Sequence, residues 1–234
     1  MKQILLLVIL SVFTVSWATA ETRTEKRNTN PFSEVSLRVS ADLYIEQGDE
    51  HSIEITANDE TLRKIIVEVN DDKLVIRFSW EDLLFKDFKP GHMEIHVVTK
   101  NIYGLNVQGS GNIYSEKPIA TQSLELNIAG SGDIKMGSIA CDKIDATITG
   151  SGDIVFEGAS KGREIEILIA GSGDVVASDF ETETAYIKIA GSGDSEVNAS
   201  DFLDVSIYGS GDVKYVGQPS IKSHIAGSGR VFQK

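Results

Sequence analysis

Leu124–Ile134 (LELNIAGSGDI), Ile144–Ile154 (IDATITGSGDI) and Ile165–Val175 (IEILIAGSGDV) are three copies of one phrase. In each, apolar residues alternate with polar or small ones, reach a Gly-Ser-Gly triplet, and resume four residues after its first glycine. The triplet recurs at Gly109, Gly130, Gly150, Gly171, Gly191, Gly209 and Gly227, at spacings of 21, 20, 21, 20, 18 and 18 residues. These seven triplets take 14 of the 21 glycines, so glycine here is positional and does not mark a flexible linker. Alternation with β-branched residues predicts strands, and the glycines punctuate them. A unit of about 20 residues cannot bury its own apolar face and must stack on its neighbours.

Two short strands joined at a glycine corner, followed by a variable turn, predict one coil of a parallel β-solenoid. Adjacent coils then lie about 4.8 Å apart, and equivalent residues form columns. The inward columns run through Leu105, Leu126, Ala146, Ile167, Ile187, Val205 and Ser223, and through Ile113, Ile134, Ile154, Val175, Ser195, Val213 and Val231. Met136 to Lys143, Glu157 to Glu164 and Ala177 to Thr184 are expected on the remaining, variable corners. The competing architecture is an antiparallel meander or sandwich with Gly-Ser-Gly hairpins. Even spacing with one shared corner favours the solenoid.

Residues 31–108 lack the triplet but keep the alternation, at Val35/Leu37/Val39, Leu43/Ile45, Ile53/Ile55 and Leu74/Ile76/Phe78. Asn58 is placed to cap a short helix containing Thr61, Leu62 and Ile65. Trp80, Leu83, Leu84 and Phe88 recur at helical spacing after Ser79, and predict a lid on the first coil's open edge or core filling, in preference to an aromatic ligand surface. With no Pro- or Ser-rich linker, 31–234 is expected to be one solenoid domain, with 109–234 its repeat section.

Ahead of it, Met1 and Lys2 lead into an apolar run from Ile4 to Trp17 that closes with Ala18-Thr19-Ala20. This is the pattern of a cleavable secretory signal over residues 1–20. No cysteine lies near Ala20, so no lipoprotein anchor is expected. Residues 21–30 are polar and expected to form a loose leader. No translocating barrel follows Lys234, so adhesion would use another secretion route, or the role is periplasmic.

The pattern G-S-G-[DN]-[IV] after an alternating strand resembles the bacterial family of putative auto-transporter adhesins with a head GIN domain. Phe32-Ser33-Glu34-Val35, Ile55-Thr56-Ala57, Leu74-Val75-Ile76 and Leu105–Gly111 resemble that family's opening, and the likeness covers roughly residues 31–230. It implies a right-handed parallel β-helix, export, and an adhesive role, without the catalytic residues of pectin-lyase-type helices. Asp194-Ser195 and Arg230 depart from the repeat, as do the two 18-residue spacings.

Composition limits the chemistry. Lys+Arg 22 against Asp+Glu 35 gives a net charge of −13, and losing Lys2 with the signal leaves −14. A nucleic-acid partner is not expected, because phosphate contacts need a basic face. A single cysteine, Cys141, excludes an internal disulfide framework and is expected to pack as a small apolar residue.

After the triplets stand Asn112, Asp133, Asp153, Asp174, Asp194, Asp212 and Arg230. Stacked carboxylates would repel by about 1 kcal/mol per neighbouring pair even in water. Either a calcium row or backbone amides in each corner must offset this; the amides are the favoured answer. The serine column from Ser110 to Ser228 is likewise expected to serve corner hydrogen bonding and not nucleophilic chemistry. His92, Glu94 and His96 alternate on a predicted strand, a pattern open to Zn²⁺ or Cu²⁺ but more simply a solvated face. No nucleophile elbow or phosphate loop is present, and basic residues gather in no column.

The expectation is therefore a non-enzymatic exported solenoid with no catalytic, metal or cofactor site, binding an extracellular or envelope glycan or protein. A carbohydrate-active enzyme and a structural protein that self-associates through its solenoid ends are the alternatives.

Overall fold

The computed structural model describes residues 22–84 and 88–234, without the side chain of Leu83. The signal expected over residues 1–20 lies outside the described residues. The chain forms a parallel β-solenoid of about six turns.

The N-terminal section holds β1 (Thr22–Arg27), β2 (Glu34–Leu37), β3 (Asp42–Gln47), β4 (Ser52–Asn58), α1 (Asp59–Lys64), β5 (Ile66–Asn70) and β6 (Lys73–Arg77). Then come α2 (Trp80–Leu84), β7 (Glu94–Thr99), β8 (Gly104–Gly109) and β9 (Asn112–Ser115). The coil β2–β3 is not at the end of the stack. β2 pairs in parallel with both β6 and β8, and β3 with both β7 and β9. The chain thus builds its second coil first, loops outward, and returns.

Beyond β6 and β7 the pairing turns antiparallel, through β5 on one side and through β4 and then β1 on the other. β5 and β6 are joined by Asp71 and Asp72, both at positive φ (48° and 65°), the signature of a tight type I′ hairpin. The polar leader expected to be loose is instead strand β1, in register with β4 from Thr22↔Asn58 to Arg27↔Ile53. Backbone hydrogen bonding needs no apolar side chain, so its polar composition concealed it.

Asn58 caps α1 as expected, its Oδ1 accepting the Thr61 amide at 2.8 Å, and Leu62 is buried. The predicted lid is corrected. Ser79 does cap α2, but Trp80 is 74% and Leu84 64% exposed. Phe88 does fill core, edge-on to Phe78 at 5.0 Å with Lys64 Nζ 4.1 Å from its ring centre, and the side chain of Leu83 lies outside the described residues. Strands cover this end because they satisfy edge amides that a five-residue helix cannot.

The repeat section comprises β10 (Ile119–Gly130), β11 (Ile134–Met136), β12 (Ile139–Gly150), β13 (Ile154–Phe156), β14 (Ser160–Lys161) and β15 (Glu164–Gly171). It continues with β16 (Val175–Gly191), β17 (Ser195–Gly209), β18 (Val213–Val216), β19 (Ser220–Gly227) and β20 (Val231–Gln233). Gly109, Gly130, Gly150, Gly171, Gly191, Gly209 and Gly227 pair in unbroken register. The interior columns are buried as expected from Leu105 to Val205 and from Ile113 to Val213, but at the last coil Ser223 is exposed and Val231 only partly buried. Ser195 is an exception of composition, 1% exposed and with no partner for its hydroxyl among the described residues. An unmatched buried hydroxyl costs about 1–3 kcal/mol.

The corners assigned as variable turns are a third parallel ladder. Ala120, Ala140, Lys161, Glu181 and Asn198 follow one another in register. Ile119, Ile139, Cys141 and Phe180 point inward from it and are buried, with Phe156 and Phe180 ring centres 5.8 Å apart. Outward Ala120 and Ala140 and register breaks of one to three residues hide the alternation.

Two constraints hold the glycine corner. Gly150 has φ 138°, and a Cβ on Gly152 would overlap the carbonyl oxygen of Gly132 one coil away. At Gly109 φ is 114°, but a Cβ would meet open space. Gly109→Ala should therefore cost about 1–3 kcal/mol of backbone strain. Gly152→Ala should exceed about 4 kcal/mol, because backbone must move. Urea unfolding of the two variants checks the order; equal losses would refute it.

Candidate binding surface

The column behind the triplets is an inter-coil ladder. Asp133, Asp153, Asp174, Asp194 and Asp212 each accept, through Oδ1, the amide of the next member at 2.7–3.0 Å, ending at the Arg230 amide. Asn112 starts the run by accepting the Asp133 amide, and its own Nδ2 donates to Asp42 at 2.9 Å. The expected partners were amides of the same corner; the donors belong to the following coil. Parallel stacking places each amide over the previous side chain, which a single repeat cannot reveal.

Arg230 closes the column, its guanidinium donating to Asp212 Oδ2 at 2.5 Å and holding that carboxyl below the usual range. The triplet serines are exposed, and it is their amides, for instance Ser151 N–H to Gly130 O at 2.9 Å, that bind the coils.

His92 lies before β7, in a polar hollow with Ser40, Asp42, Ser110 and Asn112. Glu94 and His96 do share the outward face of β7, 2.6 Å apart. The three predicted neighbours are thus not one ligand set, and no three His, Cys, Asp or Glu residues gather to hold a metal among the described residues. His96, Tyr44 and Tyr114 stack with ring centres 5.0 and 5.3 Å apart, covering one another's faces. Burial pushes both tyrosine hydroxyls up. Cys141 is 4% exposed, donates to Lys143 O at 2.8 Å, and has its thiol pushed up to about 11 by burial. It is a packing residue.

The outward face of β15, β16, β17 and β19 differs from the rest. Alternation puts polar residues there in most coils, yet Leu168 is 38%, Tyr186 39% and Tyr208 48% exposed. Tyr208 stands in register between Ala190 and Ala226, with the His224 ring tilted against it at 5.9 Å between centres, and is left half exposed. Tyr186 stands between Glu166 and Asp204, edge-on to Phe202 at 6.2 Å. Leu168, Tyr186 and Lys188, with Glu166, Asp204 and Lys222, line an open groove of about 430 Å³. Lys222 pairs with Asp204 at 2.7 Å on an exposed site, which holds geometry more than it stabilises. Sequence reasoning missed this face; the signal was an aromatic or leucine at an outward position of the alternation.

A second, more apolar groove of about 390 Å³ crosses the third ladder, lined by Pro118, Ile119, Ala120, Ile139, Ala140 and Ala159, with Lys161 among its charged residues.

The sequence model of the family described as "putative auto-transporter adhesin, head GIN domain" matches residues 31–219. The chain belongs to this family. Among solved structures, a putative adhesin from Bacteroides fragilis is similar with TM-score 0.86 and 22% identity, over 92% of this chain and 98% of that one. A putative lipid binding protein from Parabacteroides distasonis gives 0.77 and 25%, over 91% and 96%. A putative adhesin from Parabacteroides merdae gives 0.72 and 20%, over 92% and 96%. No curated protein matches the chain. The solenoid fold is therefore common to these chains.

The ladder carries a direct test. Asp153→Asn keeps the oxygen that accepts the Asp174 amide and removes a charge from the row, as Asn112 does naturally. It should be neutral or slightly stabilising, whereas Asp153→Ala should cost about 1–3 kcal/mol. Because amides satisfy the column, EDTA and added Ca²⁺ should leave the melting midpoint unmoved; a rise with Ca²⁺ would restore the cation row.

Proposed function

We propose that this head GIN protein is an exported, non-enzymatic solenoid that binds an extracellular or envelope glycan or protein through the outward face around Tyr186 and Tyr208. The observation that carries this is Tyr208, a half-exposed ring set between two alanines. A tyrosine there offers an apolar face for a sugar ring or an apolar side chain and a hydroxyl for hydrogen bonding. Leu168 supplies further apolar area, while Glu166, Lys188, Asp204 and Lys222 supply donors and acceptors around it. Such a mixture of a few polar groups on an apolar floor suits recognition. Family membership favours adhesion over catalysis, and the secretory signal predicted over residues 1–20 favours an envelope or extracellular site.

Affinity electrophoresis of the mature protein through gels containing bacterial and plant polysaccharides, with a parallel panel of immobilised envelope proteins, tests the reading. Retardation or capture should fall at least about tenfold with Tyr208→Ser plus Tyr186→Ser, at unchanged melting midpoint. A cleared zone in the polysaccharide gel would make the protein an enzyme. Binding that survives both substitutions would move the site off this face.

A second reading rests on the apolar groove across the third ladder. Its small apolar lining suits one acyl chain, and the Parabacteroides distasonis relative described as a lipid binding protein makes such a ligand worth testing. A fluorescent fatty acid should be bound by the wild type and excluded by Ala140→Trp, which fills the groove. Equal fluorescence for both proteins would dismiss it.

A further inference from the structure

The two ends of the solenoid are finished differently. At the N-terminal end β1 carries Thr, Arg, Glu and Lys side chains tied by ion pairs, Arg23 to Asp59 and Lys26 to Glu54. Charged edges of this kind resist further strand addition. At the C-terminal end all eight residues of β19 are exposed, and β19 pairs on one side only, with β17. Leu203, Val205 and Ile207 are fully buried one coil below, whereas Ile221 is 42% and Ile225 38% exposed. In this sheet outward residues direct their amides back to the preceding coil, as Glu125 does to Tyr103 O and Thr184 to Arg163 O. On β19 the inward residues Ile221, Ser223 and Ile225 therefore turn their amides and carbonyls toward the open edge.

We propose that this end is the interface of a closed homodimer, in which β19 pairs antiparallel with β19 of a second copy about a two-fold axis at Ser223. The register is self-complementary. Side chains must match inward to inward across an antiparallel pair, and centring on Ser223 sets Ile221 opposite Ile225 of the other copy. Ser223 then faces itself. That explains a serine in a column that is otherwise Leu105, Leu126, Ala146, Ile167, Ile187 and Val205, since two hydroxyls on the axis hydrogen-bond to each other.

Charge points to the same occupant. The protein carries −13 overall, yet residues 218–234 contain no Asp or Glu side chain. Their cations Lys222, Arg230 and Lys234 are each paired to a carboxylate beneath, Asp204, Asp212 and Glu196. At this end two acidic copies approach without bringing unpaired side-chain carboxylates of residues 218–234 together. Because the opposite end is charged and antiparallel, the contact is isologous and closes as a dimer without growing into a filament.

Sedimentation velocity of the mature protein across a concentration series should show a monomer converting to a dimer, with a melting midpoint that rises with concentration. Ser223→Lys sets two ammonium groups on the axis and should give a monomer whose midpoint is concentration-independent. Ser223→Pro should do the same, since that amide is free in the monomer and proline is tolerated on an open edge. Mixing Ser223→Lys with Ser223→Glu should restore the dimer as a heterodimer, which separates loss of the interface from loss of the fold. A monomer at every concentration, a dimer indifferent to Ser223→Lys, failure of the mixture to associate, or growth into polymers would each overturn the proposal.

Discussion

The carbonyl oxygen of each second triplet glycine lies where a Cβ on its counterpart in the next coil would stand. That close approach fixes the register of the whole stack. Once Gly132, Gly152, Gly173 and their fellows are seated, the strand on either side of the corner is locked in phase. Every inward residue then falls on an inward residue of its neighbour. A slip of one residue would turn the entire isoleucine column outward. Glycine is retained for contact as well as for its positive φ, which is why two glycines, and not one, mark each corner. The aspartate after the triplet acts on the same joint, since its side chain accepts the amide of the next coil and adds a second tie between successive turns.

What could be read from residues follows from this joint. Leu126, Ala146 and Ile167 are spaced by the corner and point inward, so period and burial were legible together. The ligand of the aspartate column was half legible. Asp153 needed a donor, and backbone amides were the right class, but the donor came from a residue 21 positions later. Only stacking makes that residue a neighbour. Three features stayed hidden for different physical reasons. The third ladder alternates too weakly, since Ala120, Ala140 and Lys161 share its outward row. β1 is held by main-chain bonds and by polar side-chain contacts such as Lys26 to Glu54, with no apolar alternation to mark it. The coil β2–β3 sits inside coil β6–β7 because parallel strands carry no local mark of which neighbour comes first.

The two departures from the repeat have different standing. Arg230 replaces the aspartate in the last described coil, and its guanidinium pairs with the carboxylate of Asp212. Ser195 has no such account: its hydroxyl is buried without a partner between Val175 and Val213, and nothing around it explains the choice.

Interior and corner positions in such a stack are spoken for, the first by packing and the second by glycine contact and the amide ladder. Recognition is left to outward positions, where a residue can change without disturbing register. On most of this surface those positions hold residues such as Asn106, Asn127, Thr147 and Thr149, which suit water. Leu168, Tyr186 and Tyr208 face solvent outside the core, with one aromatic neighbour each for the tyrosines, Phe202 and His224. The alanines flanking Tyr208 sharpen the point: with His224 as its one ring neighbour the tyrosine stays 48% exposed, and larger residues in place of the alanines would bury it. Small ones keep the ring open, as a surface selected for contact with something other than its own chain would require.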